Sequence, residues 1–319
     1  MSGSAENFTR QDPRRDPWWL KWSLIGFVVA FMSVFIIIPV GNIFVQAFAN
    51  GWQRYLSTFF ASGESTQIQE VQFNLNAIGM SLFLMAVVVP LNTIFGVAVA
   101  WLVTRFKFRG KAALLTLIDM PFAVSPVVAG MLFVILFGAQ GYIAQALAWA
   151  HEQTWAQAGS GQYAVWYLNW LNGQIIFNWP GVVLATAFVT LPFVARELIP
   201  VLESQGSQEE QAAITLGASG WQMFFRITLI NMKWGLLYGM VLCNARVLGE
   251  FGAVNVVSGN VRGQNTTIPL RIHQLWEDFS LTSAFALSTI LVVVALITLV
   301  AKVILERVSD GTVGSRVRH

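Results

Sequence analysis

Arg246 and Glu250 stand four residues apart inside the otherwise apolar run 234–257. On a helix that spacing puts both on one face. Ionisable side chains in a membrane segment are costly and are functional candidates by default. The planar fork of Arg246 can offer a desolvated anion charge and hydrogen bonds together. Glu250 would then hold Arg246 in place and keep such a site from binding too tightly. The same two residues could equally be a neutral structural pair that locks this segment to another subunit. Hydroxyls give weaker candidates. Ser125 lies between Pro121 and Pro126, and Thr186 and Thr190 precede Pro192. Prolines free backbone groups, which are tolerated at membrane depth only where protein or a water-filled path satisfies them. Each hydroxyl is therefore either a pathway group or a helix-packing group.

These residues need a scaffold, and the composition says what kind. Of the 319 residues, 55% are hydrophobic and only 11% charged, against about 25% charged in an ordinary soluble domain. A bilayer span takes about 20 mostly apolar residues. Six runs qualify: 22–45, 77–103, 113–137, 181–201, 234–257 and 281–305. The sequence thus predicts an all-α polytopic membrane protein with six transmembrane helices. Fourteen of the Lys and Arg residues fall on one side of that scheme. They are Arg10, Arg14, Arg15 and Lys21 before the first run, and Arg105, Lys107, Arg109 and Lys111 after the second. Arg226 and Lys233 follow the fourth, and Lys302, Arg307, Arg316 and Arg318 follow or end the sixth. The opposite loops hold Arg54, Arg262 and Arg271. The positive-inside rule then places both termini in the cytoplasm. Ala47, Phe48 and Ala49 look like a signal cleavage site, but the run before them is as long as a full span, so it reads as a membrane helix. Trp18, Trp19 and Trp22 read as its interfacial belt.

The sequence has no GxxxxGK[ST], no HExxH and no paired CxxC, and Cys243 is its single cysteine. An ATP-binding P-loop, a zinc site and a disulfide framework are therefore not expected of this chain. The remaining charges in the runs have bland readings. Arg196 and Glu197 would anchor the fourth span and meet the loop that follows. Asp119 would link to the basic "RFKFRGK".

That loop, residues 203–233, is too polar for lipid. Ser207 with Glu210 fits a capping box, and Glu209 and Glu210 suit a helix N-terminus. Gly217 fits the helix end, and Ser219 with Gln222 fits a second box. Trp221, Phe224, Phe225, Thr228 and Leu229 follow at helical spacing. The expected structure is helix, glycine turn, helix. Ala212 and Ala213 let another surface come close, so the first helix either inserts into a groove of a partner or simply packs. Periodicity does not choose between these.

The string "QAAITLGAS", residues 211–219, resembles the "EAA" loop of type I ABC importer permeases, commonly EAAxxLGAS followed by an aromatic residue and then Leu-Pro. Gln211 stands where that family has the acid, with Glu210 one residue earlier, and Ile230 stands in place of the proline. "FRGKAALLTLIDMPFAVSPVVAGMLFVILFG" resembles the sulfate and molybdate permeases. "WGLLYGMVLCNARVLGEFGAVNVVSGNVRGQNTTIPL" is similar to the sulfate/thiosulfate branch, the CysW-type subunits. The resemblance covers roughly residues 75–305.

This resemblance implies a type I ABC importer permease fold and a heteromeric sulfate/thiosulfate importer of the bacterial inner membrane. Its expected partners are a CysT-type permease subunit, two ATP-binding subunits, a periplasmic sulfate-binding protein and the membrane lipid, with no nucleic acid. ATP and Mg would be used by the partner subunits and not bound by this chain. Residues 208–216 would be the coupling helix, and Glu209, Glu210, Gln211, Ala212, Ala213, Leu216, Gly217 and Phe224 the ATPase-coupling residues. A molybdate or other oxyanion permease is the alternative within the class. An ion-coupled secondary transporter, with Glu250 as its acid, is the alternative outside it. The expected layout is a tail (1–20), a first membrane helix (21–49), a periplasmic segment (50–72), a permease domain (73–305) and a tail (306–319). The outer loop 138–180 carries five tryptophans and His151. Its first part could be an interfacial helix, and the loop either docks an outside partner or packs on the membrane. The loop 258–267, "SGNVRGQNTT", could be an anion-binding backbone nest, an outer gate or only a turn.

Overall fold

The structure is a computed structural model. It describes residues 18–60, 65–138, 141, 142, 145, 149 and 175–316, with side chains placed through Arg307. The expectations for His151, for the interfacial helix beyond Trp149 and for the tail arginines before Trp18 lie outside the described residues.

Among the described residues every regular element is helical. α1 (Trp18–Phe48) packs chiefly on the last helix, and Phe27, Phe35, Ile37 and Ile38 on its flanks are exposed apolar surface. A short α2 (Trp52–Leu56) leads to α3 (Ser65–Arg105), the 41-residue spine of the fold. α4 (Lys111–Ala123) and α5 (Pro126–Phe137) follow, then α6 (Trp179–Thr190) and α7 (Pro192–Gln205). Three elements make the polar loop. They are α8 (Gln208–Thr215), α9 (Gly220–Met223) and a π-helical stretch, Phe224–Thr228, that runs into Leu229–Asn231. α10 (Lys233–Leu248), α11 (Gly252–Val257), α12 (Ile268–Glu277) and α13 (Leu281–Arg316) complete the chain. The main core holds Leu84, Val88, Val182, Val194, Leu198, Leu202, Val247 and Leu270, where α3, α6, α7, α10 and α12 meet.

Six uninterrupted spans do not form among the described residues. Four helices are long and apolar enough to cross a membrane: Trp18–Phe48, Ser65–Arg105, Trp179–Gln205 and Leu281–Arg307. The pair α4–α5 makes a fifth if counted as one span, but it bends by 110°. Ser125 precedes Pro126, whose ring disfavours the helical conformation for the residue before it. Val124 and Ser125 are accordingly extended, at ψ 132° and 136°. The expected span 234–257 is also broken. α10 is about 24 Å long, short of the ~30 Å hydrocarbon layer, and the chain turns at Gly249 before α11 begins.

Three charge assignments change as well. Arg271 is not a loop residue: it sits in α12 with no exposed surface. Its Nε donates to Asn74 Oδ1 at 2.8 Å, it is ion-paired with Glu70, and it lies over the Phe73 ring. A buried charge is tolerated when paired and hydrogen-bonded, and α3 supplies all three partners. Asp119 does not reach the basic "RFKFRGK"; it accepts from Arg196 Nε at 2.7 Å, with the guanidinium over Phe122. Arg196 is therefore engaged with α4 rather than with the polar loop. Loop 258–267 forms a turn with Gly259, Asn260, Gly263 and Asn265 at positive φ, and Arg262 pairs with Asp278 at 2.6 Å.

Helix association within lipid depends on close packing, since lipid tails are as apolar as the side chains. The tightest seam is α3 on α7. A Cβ at Gly96 would stand 2.7 Å from Val194 Cβ and 3.0 Å from Ala195 N. At Gly239 of α10 the same atom would meet Glu197 Cβ and Val194 Cα at 3.4 Å, an ordinary contact. Gly96→Ala should therefore lower thermal stability in detergent by about 1–3 kcal/mol, while Gly239→Ala should leave it nearly unchanged. Equal melting of the two variants would contradict this packing.

Candidate functional site

The polar loop is built on caps. α7 ends at Gly206, with φ 68°. α8 closes in a Schellman turn, with Gly217 N–H donating to Ile214 O at 2.9 Å and Ala218 N–H to Ala213 O at 3.0 Å. Gly217 has φ 87°, a conformation that favours glycine. The second capping box forms as expected: Ser219 and Gln222 bond to each other's backbone N–H groups. The first does not. Ser207 Oγ accepts from the Gln211 side chain instead, and Glu210 turns inward.

The reason is Arg105, at the end of α3. Its Nε lies 2.6 Å from Glu210 Oε2, and Thr228 Oγ1 donates to Glu210 Oε1 at 2.7 Å. The Arg105 Nη atoms donate to Leu202 O and Gly206 O, at 3.1 and 2.7 Å, two free carbonyls at the end of α7. A nearly buried guanidinium attracts the carboxylate more strongly than a helix N-terminus does. The loop side chains thus divide. Glu210, Ala213 and Phe224 face inward, Phe224 against Trp101 of α3 with ring centroids 5.1 Å apart. Gln211, Ala212 and Leu216 face outward. Glu209 is exposed but accepts from Asn231 Nδ2. Leu216 is 88% exposed, and with Ile214, Trp221 and Phe225 it makes an open apolar surface. The expected regular helix after Gly220 carries a π-helical stretch at Phe224–Thr228, which turns Thr228 toward Glu210. Arg105 and Thr228 were missed in the sequence because no spacing links them to Glu210.

The second candidate is at the break after α10. Arg246 Nη1 lies 2.7 Å from Glu250 Oε2, as the spacing predicts, although Glu250 lies past the helix end. The Glu250 side chain is 1% exposed and the Arg246 side chain 30%. Glu250 Oε1 accepts from Ala253 N–H at 2.9 Å, inside the first turn of α11. The negative C-terminal end of α10 also favours a cation at Arg246. A Cβ at Gly252 would sit 3.0 Å from Pro126 Cβ, so this break packs against the α4–α5 break, where Ser125 is exposed. Two interruptions in the helices therefore meet in one place. Thr186 and Thr190 lie elsewhere and are fully buried. Asn92 Nδ2 donates to Thr190 Oγ1 at 2.7 Å and to Ala187 O at 3.2 Å, which ties α3 to α6.

This architecture has known counterparts. Residues 92–311 match the family described as "Binding-protein-dependent transport system inner membrane component". The Escherichia coli K12 protein called sulfate transport system permease protein CysW is 45% identical over 90% of this chain and 88% of its own length. The chain belongs to this family of binding-protein-dependent inner membrane components. The E. coli protein called sulfate transport system permease protein CysT is 29% identical over 86% of this chain and 88% of its own length. The crystal structure of a bacterial alginate ABC transporter, in complex with an alginate-bound periplasmic protein, contains a chain of the same fold. That chain has a TM-score of 0.68 and 17% identity, with 91% of this chain and 95% of that one covered. As a binding-protein-dependent inner membrane component, the chain is a multi-pass permease of an ABC transporter and not its ATPase. Such a component works with an ATPase and a periplasmic binding protein.

Proposed function

We propose that this chain is one of two membrane subunits of an ATP-driven importer of sulfate, with thiosulfate taking the same path. The observation that carries the reading is the Arg246–Glu250 pair. A partly open guanidinium is held on a buried carboxylate at a helix break, in a chain 45% identical to a permease named for sulfate transport. A dianion leaving water needs fixed donors and positive charge, and Arg246 offers both. Ser125, at the adjoining break, is the neighbouring candidate. Thr190 serves the α3–α6 seam through Asn92, and Thr186 is buried one turn before it.

In this reading both termini and the loop 203–233 face the cytoplasm. A CysT-type permease completes the pathway, and a periplasmic sulfate-binding protein delivers the anion. Two ATP-binding subunits, using ATP and Mg, bind below. α8 is the coupling helix, and Ile214, Leu216, Trp221 and Phe225 form its docking surface. That surface is apolar and exposed, as a helix laid into a groove requires. Molybdate is the second reading, because the same donors suit any tetrahedral oxyanion.

The test is co-purification from mild detergent followed by reconstitution. We expect a second permease and a P-loop ATPase to be recovered. We also expect ATP-dependent uptake of radiolabelled sulfate that needs the binding protein and is competed by thiosulfate. Uptake of molybdate without sulfate would replace the substrate assignment. Recovery of the chain alone would remove the importer reading.

A further inference from the structure

We propose that Arg105 is the positioning residue through which movement of the coupling helix is passed to α3. The inference rests on the reading of α8 as the ATPase contact and adds the internal linkage. Three elements converge on this one guanidinium: α8 through Glu210, the end of α7 through Leu202 O and Gly206 O, and the π-helical stretch through Thr228 on the same carboxylate. Arg105 and Glu210 side chains are only 12% and 9% exposed. Both acids of α8 are already engaged within the chain, Glu210 by Arg105 and Glu209 by Asn231. The large apolar side chains Ile214, Leu216, Trp221 and Phe225 are exposed on the outward surface of the loop, beside polar Gln211, Gln222 and Arg226. An ATPase would therefore meet a large apolar surface on the loop, while the Arg105–Glu210 pair grips the loop to the membrane helices.

The far side of the linkage is one long helix, interrupted in its ladder only at Pro90. α3 is a continuous helix of 41 residues, about 60 Å long. It holds α6 through Asn92, α7 across the Gly96 seam and α12 through the buried Arg271. A displacement of Glu210 thus reaches every helix that α3 touches. A loop joined only by its flexible ends would not pass on such a displacement.

The test uses the reconstituted complex and reads anion transported per ATP hydrolysed. We expect that ratio to fall about 5–150-fold in Arg105→Gln, the span of ordinary coupling between sites. Glu210→Gln should also lower the ratio, and the double variant should be no worse than Arg105→Gln alone, because the shared ion pair is already lost there. Thr228→Val keeps the ion pair and removes one hydroxyl, so it should lower the ratio in the same direction by less. An unchanged ratio in Arg105→Gln, or effects that multiply in the double variant, would overturn the proposal. If Arg105→Gln does not assemble, an unchanged ratio in Thr228→Val overturns it. Failure of the unmodified chain to bind any ATPase would instead remove the function on which it rests.

Discussion

Replacing Arg246 by alanine should reduce sulfate uptake by roughly 150- to 4,000-fold, the equivalent of losing one partner of a buried pair at about 3–5 kcal/mol. Glu250 is 1% exposed and keeps only the Ala253 N–H, so its charge is left without a counterion. Part of that loss would come from poor assembly, and a second variant separates the two roles. Arg246→Ala combined with Glu250→Gln leaves no buried charge, and the glutamine can still accept from Ala253. The double variant should assemble normally and still fail to transport, because the anion has lost its guanidinium. Initial rates of radiolabelled uptake, set against the amount of assembled complex, decide it. Full uptake in the double variant would make the pair a structural lock and return the anion site to the partner subunit.

Gly217→Pro should separate hydrolysis from uptake. Gly217 has φ 87°, whereas proline is fixed near −65° and has no N–H to give Ile214 O. The Schellman turn cannot close, and α8 loses its set direction relative to α9. Interior proline costs of this kind reach about 3 kcal/mol or more. The complex should either hydrolyse ATP without moving anion or lose the ATPase on purification. Gly217→Ala keeps the N–H and meets only the left-handed penalty of about 1–2 kcal/mol, so it should retain much of the activity. Normal uptake in Gly217→Pro would remove the coupling role of the loop.

The loop was largely legible because its signals are local. Ser219 with Gln222, and Gly217 after an amphipathic turn, are read within five residues, and the structure places both as expected. Arg246 and Glu250 were legible because four positions separate them, and the pair still forms although the helix ends at Leu248 between them. Ser207 with Glu210 was just as local and still misled. A capping bond is worth about 1 kcal/mol, and a nearly buried arginine arriving from α3 outweighs it. Arg271 misled in the opposite sense. Its neighbours read as an outer loop, yet Glu70 and Asn74, about 200 residues earlier in the chain, make a place for a buried charge.

The sequence alone determined that this is a polytopic helical membrane protein and that the polar loop turns at Gly217. These follow from composition and from interactions between residues a few positions apart. The tertiary structure decided where spans 113–137 and 234–257 break, that the two breaks meet, and that Arg105 rather than Arg196 holds the polar loop. Those outcomes depend on which helices lie side by side. Two groups far apart in the chain outweigh local preferences only once packing has removed the water between them.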